Sequence, residues 1–535
     1  MNRQIFPWLM AVFLTLVFAG CSEVPEAETP EYETDLTEEE AEKLSAFEDY
    51  FPHQYETYME TQVQDFDMDR GQMTEFAGNV PHAKHLCEDL PDGYKYCQPY
   101  LKNLWLGYGF SFEYNRARGH GNAMHDLLDI DRTSDYGDSA GMPATCYNCK
   151  SNKVPGYVEE YGDDFWAMEF NEFREDHDLE EHAIGCNLCH EPETMDLRLT
   201  SVPLKDYLDR QDTSFEEASR SEQRSLVCGQ CHSEYYFEVP GEQARPSRYF
   251  GEGEEGVPAK PVFPWDEGYD AGEMYNFKKH VGDSEREGFE GWFVDWTHPV
   301  SDTPMLKVQH PEYEMWEDGP HGSADVACAD CHMPYTRMDG KKKISSHNVT
   351  SPLHSLETVQ QTCGQCHADK APRDLKDRVI YTQEKVFEQL LIAQEESVRA
   401  HEAVRLASEY EGEVRDDFDE LMIQARERIR KGQWFWDYVS AENSEGFHNP
   451  QKSLETLSKS QQYSRQAQDY AKQATNYGIA EELEGDIKEI VPPIEEHSRK
   501  LMMSEEHLQT HDWFEYLDVA PEEPRTWELN EKVAD

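Results

Sequence analysis

Five Cys-x-x-Cys pairs, Cys146/Cys149, Cys186/Cys189, Cys228/Cys231, Cys328/Cys331 and Cys363/Cys366, constrain this chain more than any other feature. Four of them end in histidine: CNLCH (Cys186 to His190), CGQCH (Cys228 to His232), CADCH (Cys328 to His332) and CGQCH (Cys363 to His367). CxxCH is the attachment motif of c-type haem. Two thiols add to the two vinyl groups of one porphyrin, and the next residue turns back onto the iron. Zinc also binds CxxC pairs, but zinc does not require a histidine directly after each of four pairs. A chain that carries several porphyrins fills its interior with them, so loops and short helices are expected up to residue 367.

The fifth pair, CYNCK (Cys146 to Lys150), departs from the pattern only in its last residue. Taken alone it reads as an ordinary CxxC followed by a surface lysine. Beside four sister motifs it reads as a fifth haem with the Lys150 amine as axial donor. Lysine binds a metal only when neutral, so ligation must depress its pKa. An iron with one nitrogen ligand and nothing supplied opposite is a reaction site, whereas electron-transfer haems keep both axial positions filled. Four six-coordinate haems need four further histidines. His120 in RARGH, His321 in GPHG, His347 after a lysine-rich loop and His448 in GFHNP are the candidates. Position alone leaves each open between a ligand and a surface histidine.

The 535 residues hold 109 acidic side chains against 49 basic ones, a formal charge of −60, which excludes nucleic acid as a partner. Aromatic residues at 12% argue for a folded chain. Residues 1–20 carry Arg3, an apolar run from Ile5 to Phe18, and Ala19-Gly20 before Cys21, which reads as an export signal. The run contains Pro7 and barely reaches the ~20 residues a membrane span needs. Cys21 resembles the lipid-attachment site of bacterial lipoproteins, with residues 21–45 as an acidic tether. Cys87 and Cys97 flank a Pro-Asp-Gly turn and suit a local disulfide in an oxidising compartment; two unrelated thiols are the alternative. Residues 46–367 then form the haem-bearing region, and 368–535 a long-helix region. There, apolar side chains recur at helical spacing through Phe387, Leu390, Leu391, Ile392 and Val398. A second run passes through Leu421, Ile429, Trp434 and Trp436 to a break at Gly446. Asn449-Pro450 supplies a helix start, with a stop at Gly478. These helices either cover the last haems or pack across a two-fold axis. GEGEEG near Gly251 lacks the lysine and helix signal of a phosphate cradle. The fold class expected is mainly α, a multihaem cytochrome c fold with long C-terminal helices and little β-sheet.

One CxxCK followed by four CxxCH, with YGFSFEYNRARGH before the first motif, CGQCHSEYYF at the third and TPMLKVQHPEYEMW before the fourth, resembles the pentahaem cytochrome c nitrite reductases from about residue 50 to about residue 500. The resemblance implies reduction of nitrite to ammonium in the periplasm or cell envelope, with five haem c groups and a calcium ion. It implies that Arg132, Tyr235 and His310 surround the open face of the Lys150 haem, with Arg116 and Arg118 as rival arginines. It implies a calcium site from the Glu234 carboxylate, the Tyr235 and Lys307 carbonyls and the Gln309 side chain, oxygen donors that suit a hard cation. The axial pairs it implies are His190 with His347, His232 with His120, His332 with His321, and His367 with His448. It further implies a homodimer through the long helices and an electron donor such as a membrane quinol dehydrogenase cytochrome, with a lipid on Cys21 holding the chain beside it. Two other readings stand: a carrier cytochrome with every haem six-coordinate, and the same fold acting on hydroxylamine, nitric oxide or sulfite. CYNCK separates the carrier from the enzyme.

Overall fold

The computed structural model describes residues 33–63, 100–106, 108, 119–128, 143–177, 182–238, 259–338, 340, 342–485 and 487–490. The export segment with Cys21, Cys87 and Cys97, the three arginines Arg116, Arg118 and Arg132, and the GEGEEG segment lie outside the described residues.

Among the described residues the chain is helical. Its sheet consists of three two-stranded antiparallel hairpins, β1 (Tyr236–Glu238) with β2 (Lys260–Val262), β3 (Trp296–His298) with β4 (Thr303–Met305), and β5 (Tyr335–Met338) with β6 (Lys342–Ser345). Before residue 368 no described helix exceeds the ten residues of Arg220–Gly229. The cysteine motifs are themselves short helical turns, at Cys186–Leu188, Cys328–His332 and Cys363–Cys366. On such a turn positions i, i+3 and i+4 share one face, so both thiols and the following side chain point the same way.

Beyond the last motif lie three long helices, α1 (Pro372–Ser408), α2 (Phe418–Ala441) and α3 (Pro450–Ala474). Helix α1 opens on Pro372 and α3 on Pro450, each at a position where the missing N–H costs nothing. The Asn449 side chain accepts from the Lys452 N–H at 3.1 Å and caps α3 as its sequence predicts. Helix α3 stops at Ala474, before Gly478, because Asn476 and Tyr477 take positive φ and the turn folds onto the Tyr410 ring.

Along the buried face of α3, Ser453, Leu457, Ser460, Ser464, Ala467, Ala471 and Ala474 follow alternating steps of four and three, with Thr456 and Gln468 buried beside them. That is a coiled-coil seam built mostly from small residues, so the backbones approach closely. The Ser460 hydroxyl donates to the Gly432 carbonyl of α2 at 2.6 Å, and a Cβ on Gly432 would stand 2.7 Å from Ser464 Oγ. The three helices share a core with Leu101, Leu104, Trp105, Trp296 and Met305, which joins the bundle to the haem-bearing region.

Where α1 and α2 meet the β3–β4 hairpin, His298 and His401 stack with ring centroids 3.9 Å apart, both essentially fully buried. His298 Nε2 bonds the Asn103 carbonyl at 2.8 Å, and His401 bonds Ser301 Oγ at 2.7 Å and Gln433 Oε1 at 3.2 Å. Burial, and then the neighbouring His298, hold His401 well below the ordinary histidine range. The folded state therefore favours the neutral ring. The stability this confers is intact above the unfolded histidine pKa of about 6.5 and is lost as pH falls toward the folded value, by up to ~1.4 kcal/mol per pH unit. Thermal midpoints measured between pH 7 and pH 5 should fall less steeply in His401→Gln than in the parent chain. Identical slopes would rule out this contribution.

Candidate haem cavity and reaction site

All ten motif cysteines, Lys150 and the eight histidines proposed as ligands line one connected cavity of about 2250 Å³. That is more than twice the ~1,000 Å³ upper end of ordinary single-ligand pockets. His232 lies deep within the chain, yet its side chain is 52% accessible, and it lines the cavity. This is the shape needed for several large groups covalently held at cysteine pairs.

The motifs are strung together. The Cys149 and Cys231 thiols are close enough to act on one another, as are those of Cys228 and Cys328. Cys189 is close enough to act on Cys228 and Cys231, and Cys363 and Cys366 on Cys331. CGQCH at Cys228 is thus the hub, and CYNCK lies at one end.

Three histidine pairs face each other across the cavity. The ring centroids of His190 and His347 are 6.3 Å apart, those of His332 and His448 6.4 Å, and those of His367 and His321 6.4 Å. Two imidazoles sharing a metal at about 2 Å per bond have centroids about 6 Å apart, so each pair fits one iron. His190 and His347 are a pair that the resemblance names. The other two are exchanged: His448, not His321, faces His332, and His321, not His448, faces His367. The cause is that the GPHG and GFHNP turns pack backbone to backbone. A Cβ on Gly319 would stand 2.3 Å from the His448 carbonyl, so the two loops share one locus and spacing does not show which ring turns to which motif. His120 and His232 are near enough to influence one another. Burial first, then neighbouring charge, holds His120, His332 and His347 at about 4, so each is neutral with a lone pair to offer a metal.

Lys150 sits where CYNCK is anchored by aromatic packing. Tyr147 stacks on Phe170 at 4.4 Å and donates its hydroxyl to the Phe170 carbonyl at 3.0 Å, while Thr145 Oγ1 donates to the Ala259 carbonyl at 2.8 Å. The charge of Lys150 reaches His120, His232 and His310. Tyr235 and His310 line the same cavity. Burial lowers His310 to about 4, against an upward pull from Glu312 and with further depression from Lys150. Its imidazole is therefore neutral at pH 7. Despite burial, His232, His310 and Asn443 hold Glu312 at about 2, a permanent anion.

Of the groups expected to hold calcium, Glu234 and Gln309 meet in the described contacts. Glu234 is fully buried, and its carboxylate accepts from the Gln309 N–H and from the Lys278 ammonium, the latter at 2.7 Å. Lys307 donates its N–H to Asp295 at 2.8 Å and its ammonium to Asp437 at 3.0 Å. Among the described residues no three His, Cys, Asp or Glu side chains converge as a metal cage. A cation at Glu234 would take its remaining ligands from carbonyl and amide oxygens, as a hard cation can. Lys278 was not legible as part of this site, because nothing marks it beyond its place as the C-cap of the helix Ala271–Phe277. Glu312 and Glu442, the carboxylates beside His232 and His448, were missed for the same reason.

The chain matches the cytochrome c552 family profile over residues 43–531. It is 53% identical over 542 residues to the cytochrome c nitrite reductase subunit NrfA of Nitratidesulfovibrio vulgaris Hildenborough, covering 99% of both chains. It is 35% identical over 418 residues to cytochrome c-552 of Bacteroides thetaiotaomicron, covering 77% of this chain and 73% of the relative. The solved structure of the catalytic subunit NrfA of cytochrome c nitrite reductase from Desulfovibrio desulfuricans ATCC 27774, described with two calcium sites, matches with a TM-score of 0.76 at 50% identity, over 91% of this chain and 97% of that one.

Proposed function

The chain belongs to the cytochrome c552 family of pentahaem cytochrome c nitrite reductases, and from that premise we propose that it reduces nitrite to ammonium at a site where Cys146, Cys149 and Lys150 would hold a haem. The four CxxCH motifs, with His120, His321, His347 and His448, would hold four further haems. The observation that carries this reading is that Lys150 is close enough to His310 to act on its charge, on a cavity that Tyr235 and all five motifs also line. When bound, the haems would supply the electrons and the metal centre for the reduction.

The chain's own residues do the rest. Lys150 offers an amine from a rigid aromatic base. His310, neutral and buried, donates to or accepts from the oxygens of the bound anion and gains basicity as negative charge collects there. Tyr235 adds a phenol donor. Arg132 would supply fixed positive charge, which counts for more in a site with little water. Glu234, Tyr235, Lys307 and Gln309 would hold calcium behind the site. Its charge, like that of Lys278 and Lys307, offsets buried carboxylates that would otherwise repel nitrite. No described helix is long and apolar enough to cross a membrane. Export to the periplasm or cell envelope, a lipid on Cys21, a membrane quinol dehydrogenase cytochrome as donor and a homodimer through the long helices complete the proposal.

The test is haem quantitation on purified exported protein, together with the nitrogen balance of nitrite consumed under a reduced dye. Five covalent haems per chain and one ammonium per nitrite, at six electrons each, are expected. Nitrite turned over to nitric oxide, or four haems with free Cys146 and Cys149, would overturn the reading.

A further inference from the structure

The imidazoles that line the cavity differ in what stands behind them. His190 and His347 turn Nδ1 to the backbone carbonyls of Met195 and Ser345, each at 2.9 Å, and His332 turns Nδ1 to the Thr350 carbonyl at 3.3 Å. His448 is different. Its Nδ1 lies 3.1 Å from Oε2 of Glu442, a carboxylate with 0% exposure.

Glu442 is built into place. It directly follows α2, and its oxygens accept from the Ser444 hydroxyl at 2.8 Å, the Ser444 N–H at 3.1 Å and the Gly446 N–H at 2.6 Å. Ser444 Oγ in turn accepts the His448 N–H at 2.8 Å, so the acid, the serine and the histidine loop form one closed set. The neighbouring Asn443 holds Glu312, whose carboxylate stands 3.6 Å from His232 Nδ1, an ion-pair contact beyond hydrogen-bonding distance.

The Glu442 oxygens accept from Ser444 and Gly446, and in the same way they accept from the ring. Nδ1 of His448 therefore carries the proton and Nε2 keeps its lone pair. A full negative charge behind an imidazole makes it a stronger electron donor than a carbonyl dipole does, and donor strength favours the oxidised metal.

We infer that Glu442 is a positioning residue that acts through His448 to make the haem attached at Cys328 and Cys331 harder to reduce than the haem attached at Cys186 and Cys189. The inference rests on the reading of His332 with His448, and His190 with His347, as the axial pairs. It gives two haems, both held by histidine pairs, unequal potentials from unequal hydrogen-bond partners.

The test is a redox titration of the haem-loaded full chain, followed by electron paramagnetic resonance of the low-spin haems. Glu442→Gln keeps an oxygen for Nδ1 and removes the charge. One low-spin signal should become about tenfold easier to reduce, a rise of ~59 mV for one electron, with five haems retained and the other signals unmoved. His448→Ala should abolish that same signal, and His347→Ala a different one. In the parent chain the signal assigned through His448 should titrate below the one assigned through His347, a comparison that holds even if Glu442→Gln fails to load haem. Loss of no low-spin signal in His448→Ala would sink the ligand assignment. Loss of the signal, with an unmoved midpoint in Glu442→Gln or the reverse order in the parent chain, would sink the role of Glu442 alone.

Discussion

Lys150→Leu is expected to lower nitrite reduction at least about 100-fold while leaving all five haems attached. Partners that only support a metal's ligands are worth about 10–100-fold, so removal of the ligand itself should cost no less. Leucine is close to lysine in bulk and carries no donor atom, and the thioether cysteines Cys146 and Cys149 are untouched. The base of the motif is held by the Tyr147–Phe170 stack and the Thr145 bond, neither of which involves the amine. Lys150→His, which offers another neutral nitrogen, should keep measurable activity with an altered spectrum. A steady-state assay with a reduced dye decides it, and full activity in the leucine variant would remove Lys150 from the mechanism.

The second large effect is expected at His310. Its substitution by asparagine should lower kcat/KM for nitrite about 100-fold or more, the range in which a donor aimed at developing negative charge or a general acid works. Asparagine keeps a hydrogen-bonding group but cannot pick up a proton. His310 is neutral at rest because burial outweighs the pull of Glu312, so its task begins when substrate charge arrives. Substrates further along the reduction, such as hydroxylamine, carry no such negative charge and should lose less. Equal losses for nitrite and hydroxylamine, or none for either, would contradict the assignment. The assay is parallel steady-state kinetics on the two substrates with haem content held constant.

The covalent framework was legible because its chemistry is local. Two thiols and a ligand must fit one porphyrin, so the requirement is written into five consecutive residues at each motif. The long helices were legible for a similar reason, since Phe387, Leu390 and Val398 repeat at the helical period, and Asn449-Pro450 caps α3 as a local signal should. The close packing of α2 on α3 was not, because serine and alanine at seam positions read as a polar surface until Gly432 is seen opposite Ser460. The exchange of His321 and His448 has the same origin. Which of two adjoining turns faces which motif is settled by backbone contact at Gly319, and no spacing in the chain encodes it. Lys278, Glu312 and Glu442 lie 44, 80 and 6 residues from the groups they serve in the contacts Lys278–Glu234, Glu312–His232 and Glu442–His448. Even the short separation carries no motif, since an acid six residues before a histidine is an ordinary occurrence.

The central claim is that one iron among five binds a single protein nitrogen. The most direct measurement is electron paramagnetic resonance of the fully oxidised protein before and after addition of nitrite. One high-spin centre that changes on nitrite binding, beside four low-spin centres that do not, is the predicted result. Five low-spin centres indifferent to nitrite would contradict it and leave a chain that only conducts electrons.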